Sequence, residues 1–279
     1  MIKRLIISLL VVMMVFSLVL FGCSETPAKK TAIDTAAEEP EEQVEETPEE
    51  TTVEEVEEEA VEETVEEPAE EENAPAEGEV TFKTEDGIDI SGNIFGTGSK
   101  WVILSHMYPT DQTSWFDFAR ELAGKGYIVL TYDFRGYGKS GGDQDIPNIY
   151  KDLEAALNFV KQYDAEKIFL IGASMGGTAS LIVASKEEVD GVVSFSSAME
   201  FMGLSAEGTV QDIESPKLFM ASQGDGGAAD AANKFYEDST TSKYMVILNG
   251  NSHGTFVFEE EPEDAEIAKQ NIFDFLEFG

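Results

Sequence analysis

The sequence is short of cysteine, histidine and positive charge. Its 279 residues include one cysteine, Cys23, and two histidines, His106 and His253. A lone thiol cannot close an intrachain disulfide, and without a Cys/His cluster there is no zinc-type ligand set. No phosphate-binding glycine loop is present, so neither metal nor nucleotide nor other cofactor is expected. Only 18 Lys and Arg stand against 56 Asp and Glu, a formal net charge of -38. A surface of that sign repels phosphate backbones, which argues against nucleic acid as a partner. Any imidazole chemistry is confined to two positions.

The acid is unevenly placed. Residues 24–79 hold 24 acidic residues against two lysines, and residues 80–279 hold 32 against 14 basic ones. The first stretch, typified by "EEPEEQVEETPEETTVEEVEEEAVEETVEEPAEE", has too little apolar surface to offset chain entropy, and its like charges repel. It reads as a disordered tether over 23–79, able to span on the order of 40 Å as a flexible coil. The remaining 200 residues have mixed composition and suffice for one domain with one core, 80–279.

Ahead of the tether, Lys3 and Arg4 precede an uncharged run from Leu5 to Phe21, followed at once by Gly22 and Cys23. A basic start and an apolar run read as an export signal over 1–22. "LFGC" at residues 20–23 resembles the bacterial lipoprotein signal, which implies lipidation at Cys23 and anchoring to the outer face of a bacterial membrane. The alternative is an uncleaved membrane helix at the short limit for spanning.

Within 80–279, apolar runs alternate with helix-like stretches. "VTFKT" and "IDISGNIF" read as an opening hairpin. "WVILSH", "YIVLTYD", "KIFLIGA", "GVVSFSS", "KLFMAS" and "YMVILNG" read as strands covered on both faces. Helices are expected around Trp115–Ala123, Ile149–Lys161, Met175–Ser185, Ala228–Tyr236 and Ala265–Phe278. This is an α/β fold with a mostly parallel open sheet of about eight strands and helices on both faces. Binding is then expected at the carboxyl ends of the strands.

At one such end stands Gly172-Ala173-Ser174-Met175-Gly176. A serine thrust from a tight strand-to-helix turn would collide with side chains two residues to either side, and glycine at both positions removes the collision. The helix start also aims backbone N–H groups at negative charge forming near Ser174. Asp225 follows "KLFMAS" and His253 follows "YMVILNG", so each lies on a loop at a strand's carboxyl end. A neutral imidazole can take the proton of a serine alcohol, and a carboxylate can hold the ring's other nitrogen. Asp230 and Glu200 are the alternative acids.

The order Ser174, Asp225, His253, with "YDFRGYGKS" at 132–140 and the "SHGT" turn at 252–255, resembles the α/β-hydrolase family over all of 80–279. The resemblance implies a Ser-Asp-His triad and an oxyanion hole built from the N–H groups of Met175 and Tyr108, with Met107 as the alternative to Tyr108. Relatives commonly carry His-Gly after the corresponding strand; here Met107 replaces that glycine. His106, Asp133 and Arg135 read as structural. Phe195, Met199, Phe201 and Met202 are candidates for an acyl pocket, with core packing as the other reading. Only the 18 residues from Ala198 to Ser215 separate two strands where many relatives insert a lid, so no large cap domain is expected.

The functional expectation is an exported, lipid-anchored, esterase-like serine hydrolase acting on short acyl esters of neutral or cationic alcohols. A peptidase or amidase would use the same triad on a peptide or amide substrate. A non-catalytic surface lipoprotein is the reading from a different class.

Overall fold

Gly78 and Glu79, read above as the end of the tether, already belong to a strand. In the computed structural model, which describes residues 75–278, Gly78 pairs with Ile94 and Glu79 with Asn93. The described residues all lie in the second of the two units into which the chain divides, Val65–Gly279. The signal, Cys23 and nearly all of the tether lie outside them. Among the described residues no helix is long and apolar enough to cross a membrane.

The elements run β1 (Gly78–Lys83), β2 (Asp89–Phe95), β3 (Lys100–Ser105), α1 (Phe116–Ala123), β4 (Tyr127–Tyr132), α2 (Tyr150–Val160), β5 (Lys167–Ala173) and α3 (Met175–Ala184). They continue with β6 (Gly191–Phe195), β7 (Glu200–Phe201), β8 (Leu204–Ser205), β9 (Lys217–Ser222), α4 (Gly226–Asp238), β10 (Lys243–Leu248), α5 (Phe256–Glu260) and α6 (Pro262–Phe278). Eight strands form one sheet in the order β1-β2-β4-β3-β5-β6-β9-β10. Only β2 runs against its neighbours; the pairs from β4 to β10 are parallel.

The uninterrupted apolar runs form strands because both faces are covered. Ile103, Leu130, Leu170 and Phe219 face Leu153 and Leu157 of α2, Leu181 of α3 and Phe235 of α4. Their strand neighbours Val102, Leu104, Val129, Ile171 and Met220 face Phe118 and Leu122 of α1 and Ile272 of α6. Successive side chains alternate across a strand, so both sets are apolar. Truncating one of the large ones to alanine would cost about 3–5 kcal/mol.

Several boundaries differ from the sequence reading for local reasons. The helix expected from Trp115 begins at Phe116, because the Asp111 side chain accepts from Thr113 N and caps a 3-10 turn over Gln112–Trp115 first. The short hairpin β7–β8 and the helix α5 carry no periodic signal of their own and have no counterpart in the sequence reading. Phe195 is fully buried in the core beside α6, so it lines no acyl pocket; Met199 packs against the other core.

The sheet order places the site. From β3 the chain moves to β4 on one side, then returns through α2 to β5 on the other. The ends of β3 and β5 therefore diverge at a switch point, where open α/β sheets form a crevice. Ser105 pairs with Gly172 there, which brings the residues after each strand together.

Candidate active site

Ser174 joins β5 to α3 with φ 51° and ψ -119°. Few residues with a Cβ adopt a positive φ, and such strain costs on the order of 1–3 kcal/mol. The turn is held by its neighbours. Ser174 N–H donates to Phe195 O at 2.8 Å, and Ser174 O accepts from Thr178 N at 3.0 Å. Thr178 Oγ1 also donates to Ala198 O at 2.9 Å. A Cβ on Gly172 would lie 2.3 Å from the Gly176 carbonyl, and one on Gly176 would lie 2.3 Å from Ser105 O. Both glycines are therefore required by close approach of backbone to backbone.

His253 and Asp225 are brought together by the pairing of β9 with β10, in which Ser222 lies opposite Leu248. His253 Nδ1 is 2.7 Å from Asp225 Oδ2. A carboxylate accepts only, so Nδ1 carries the proton and Nε2 presents its lone pair. The loop that carries His253 is tied down by acids of α5, of α6 and of the residue between them. Glu261 Oε1 accepts from Asn251 N at 2.8 Å and Ser252 N at 3.1 Å. Asp264 Oδ2 accepts from Gly250 N at 2.6 Å, and Ser252 Oγ donates to Glu260 Oε2 at 2.7 Å. These backbone bonds, that from Asn251 first, hold the Glu261 carboxyl below its ordinary value. The sequence signal was the acidic run ahead of Pro262, which reads as a helix start but does not reveal what the acids hold.

Next to His253, a Cβ on Gly254 would stand 2.7 Å from Met107 Sδ and 3.3 Å from the Ala173 side chain. Thr255 Oγ1 also contacts Met107 Sδ at 3.6 Å. The histidine loop thus packs on the residue after His106 and on the residue before Ser174. Met107 is fully buried and forms the floor beneath this loop. Ser174 Oγ makes no hydrogen bond to His253; such bonds commonly tighten only with substrate present. The alternative acids stand elsewhere: Asp230 is exposed on α4, and Glu200 accepts from Gly203 N at 2.9 Å inside the β7–β8 hairpin.

Two backbone N–H groups after β3 and β5 lack an acceptor among the described residues. Met175 is the first residue of α3, so its N–H has no partner within the helix. The Met107 carbonyl accepts from Thr110 N at 3.0 Å, Thr110 Oγ1 at 2.9 Å and His106 Nδ1 at 3.0 Å. In a planar peptide the N–H of Tyr108 points the opposite way, and no described group accepts it. His106 Nε2 accepts from Phe134 N at 3.0 Å, which fixes the proton on Nδ1. Burial pushes the His106 pKa down, so the ring is a neutral brace with no free nitrogen for chemistry.

Asp133 and Arg135 also brace. Asp133 accepts from Gln112 N at 3.0 Å, Gln112 Nε2 at 2.9 Å and Lys139 N at 2.9 Å. Arg135 bonds Asp152 at 2.7 Å and Asp86 at 2.9 Å. Over the crevice, Tyr108 packs on Phe201 with ring centroids 5.8 Å apart, and Met202 is 63% exposed. A cavity of about 550 Å³ lies elsewhere, at the N-terminal ends of β9 and β10 against Phe275 and Phe278. Its lining includes none of Ser174, Asp225 and His253.

This architecture recurs among solved proteins. An esterase from Pyrococcus furiosus superposes with a TM-score of 0.64 and 22% identity, over 72% of this chain and 92% of that one. A monoacylglycerol lipase from Paleococcus ferrophilus gives 0.59 and 19%, over 67% and 98%. The chain has the α/β-hydrolase fold. Within this fold, residues 99–207 match the family described as serine aminopeptidase, S33. Alpha/beta hydrolase domain-containing protein aho-3 of Caenorhabditis elegans is 37% identical over 84 residues, 29% of this chain and 25% of that protein. A 2-hydroxy-6-oxononadienedioate/2-hydroxy-6-oxononatrienedioate hydrolase of Escherichia coli is 35% identical over 99 residues, 34% of each. The chain thus spans about a quarter to a third of the length of these curated relatives.

Proposed function

We propose that this α/β-hydrolase is a serine hydrolase that cleaves carboxylic esters through an acyl-enzyme on Ser174. The observation that carries the reading is the His253–Asp225 contact at 2.7 Å on a loop packed against the residue preceding a positive-φ serine. In the first step Ser174 Oγ attacks the ester carbonyl while His253 Nε2 takes its proton, and Asp225 stabilises the imidazolium. The oxyanion is met by the N–H groups of Met175 and Tyr108, a donor pair of the kind worth several kcal/mol in the transition state. His253 then gives the proton to the leaving alcohol. Water, deprotonated by the same ring, hydrolyses the acyl-enzyme and restores Ser174.

The β7–β8 hairpin gives the crevice a rim of Phe201 and Met202 and no cover. A short apolar wall favours short acyl chains over long ones, without activation at a lipid interface. The test is a series of 4-nitrophenyl esters of rising acyl length. Specificity highest at acetate to butyrate and absent in Ser174→Ala supports the reading; a steady rise to long chains, or a jump at micelle formation, contradicts it.

The match to a family described as serine aminopeptidase favours a second reading, an amidase or peptidase with the same three residues. Aminoacyl anilides beside the esters separate the two, since an esterase turns over the anilides orders of magnitude more slowly. The proposal also includes location: export, removal of residues 1–22, and lipidation at Cys23, supported by the basic start, apolar run and sole cysteine. Mass spectrometry of the mature N-terminus checks it. A diacylglyceryl mass on Cys23 is expected, and an unmodified chain beginning at Met1 contradicts it.

A further inference from the structure

The two edges of the sheet are finished differently. At one edge β1 carries Glu79, which pairs with Lys139, and Lys83, which pairs with Asp89. Charges of that kind keep an exposed strand from pairing with another chain. At the other edge β10 runs Tyr244-Met245-Val246-Ile247-Leu248 without a charge. Seven large apolar side chains stand exposed among the described residues, and four of them are Tyr244, Met245 and Ile247 of β10 and Phe278 at the end of α6. The hollow of about 550 Å³ lies at the same edge, walled by Tyr244, Met245 and Val246 together with Phe275 and Phe278. Exposed apolar surface is thus concentrated on one edge of the sheet.

The backbone of that edge is open as well. Ser242 O accepts from Lys217 N at 3.1 Å, and Leu248 O accepts from Gln223 N at 2.8 Å. Between them Tyr244 lies opposite Leu218 and Val246 opposite Met220. Alternate residues of a parallel ladder turn their backbone groups to the partner strand, so Ser242, Tyr244, Val246 and Leu248 direct theirs to β9. Lys243, Met245 and Ile247 turn N–H and C=O outward, where β10 is the last strand of the sheet. Tyr244 and Val246 keep their side chains on the α6 side: the Tyr244 ring meets Phe275 at 6.1 Å between centroids, and Val246 packs on the same core.

We propose that β10 is the interface through which two copies of this chain dimerise, each adding its β10 antiparallel to the other about a two-fold axis beside Met245. In that register Met245 faces Met245 of the second copy, and Lys243 faces its Ile247. Every outward N–H and C=O of the three residues is then paired, and the two sheets become one. Registers centred on Val246 or Ile247 leave the groups of Lys243 opposite residues beyond the strand. The occupant follows from charge. Residues 80–279 hold 32 acidic residues against 14 basic ones, so two copies repel over most of their surface and approach at least cost along an uncharged edge. A basic peptide would be drawn to the acidic faces instead, and the glutamate-rich run ahead of β1 would set carboxylates against apolar side chains. The same apolar run supplied twice is self-complementary, as a two-fold contact requires. The proposal is independent of the chemistry at Ser174.

The test is sedimentation equilibrium of the full chain at micromolar concentration, in density-matched detergent because Leu5 to Phe21 is uncharged. Twice the mass of one chain is expected. Met245→Lys sets two ammonium groups across the axis and is expected to weaken dimerisation at least about tenfold. Met245→Pro removes an outward N–H without touching a bond to β9 and is expected to do the same. Thermal unfolding of both variants should stay near wild type, since the side chain is exposed. Directly opposed residues of a hydrogen-bonded antiparallel pair have Cα atoms about 5.5 Å apart, within the disulfide range. Oxidation of Met245→Cys is therefore expected to join position 245 of two copies, whereas Thr81→Cys, exposed on β1, is expected not to cross-link at position 81. A monomer overturns the proposal, as does a dimer that both Met245 variants leave intact or a cross-link at 81 and none at 245. A monomer whose Met245 and Ile247 amides resist hydrogen exchange assigns the edge to another segment of the chain and overturns it equally.

Discussion

The His253–Asp225 pair and the Arg135–Asp152 pair are both 2.7 Å contacts on segments that follow sheet strands or support them, and they serve opposite ends. Arg135 and Asp152 side chains are 2% and 0% exposed. Asp152 accepts from Arg135 N at 2.9 Å and Arg135 Nε at 2.8 Å as well, and Arg135 turns its remaining donors to Asp86. His253 and Asp225 are 37% and 18% exposed, and the second ring nitrogen bonds no group among the described residues. A saturated pair fixes a loop. A pair with one lone pair left over, beside a serine in a strained turn, can move a proton. Distance alone would not have told them apart; the completeness of bonding does.

The comparison is broken most sharply by removing the reacting groups. Ser174→Ala and His253→Ala are each expected to lower kcat by about 10⁴-fold or more with little change in melting temperature, because nucleophile and base act as a unit. Steady-state kinetics and thermal unfolding on the same preparations check both halves. Asp225→Asn should fall nearly as far through loss of the correct tautomer, whereas Glu200→Gln should leave kcat near wild type.

On the structural side the effect should appear in stability. Arg135→Met leaves Asp152 buried without its partner, which costs about 3–5 kcal/mol, read by denaturant unfolding; activity per folded molecule should persist. Burial pushes Asp152 upward while Arg135 opposes it, and the Arg135 guanidinium holds Asp86 at about 2. The depressed Asp86 value means that its contribution is present above pH 3.8 and is lost as pH falls towards 2.

Glu261→Ala falls between the two pairs, since it frees the backbone of the His253 loop without touching the ring. We expect kcat to drop about tenfold with KM for a small ester nearly unchanged, partly recovered in Glu261→Gln, which keeps an acceptor oxygen. The smallest effect concerns His106. Its folded-state pKa is depressed by burial, so the unfolded chain takes up the proton first as the medium is acidified. Stability should therefore decline as pH falls below about 6.5, and a His106→Asn variant should show a shallower decline in unfolding free energy over that range.

Much of the crevice was legible because its signals are local. The strand runs, the glycines flanking Ser174 and the chain order of Ser174, Asp225 and His253 are features of short windows, and the sheet order then does the rest. What stayed hidden depends on partners far apart in sequence. Met107 looked like a departure from the family pattern until its sulfur met Thr255 and Gly254, 148 residues from Thr255 along the chain. Glu261 looked like one more acid in an acidic chain until it took the amides of Asn251 and Ser252. Phe195 reads as core by default and as pocket wall otherwise, and its full burial against Phe258 of α5 decides for core. Tyr137 belongs to a stretch that reads as loop bracing, and nothing in "RGYGKS" shows that its hydroxyl ends unpaired.

The most direct measurement is trapping of the covalent intermediate. The protein is mixed with a fluorophosphonate, or with 4-nitrophenyl acetate and quenched in acid within one turnover, then digested and mapped by mass spectrometry. The account predicts a single added phosphonyl or acetyl group on the peptide carrying Gly172-Ala173-Ser174-Met175-Gly176, at Ser174, and none in Ser174→Ala. Unlabelled Ser174 in protein that still hydrolyses the ester, or a label on any other residue that persists in Ser174→Ala, would contradict it.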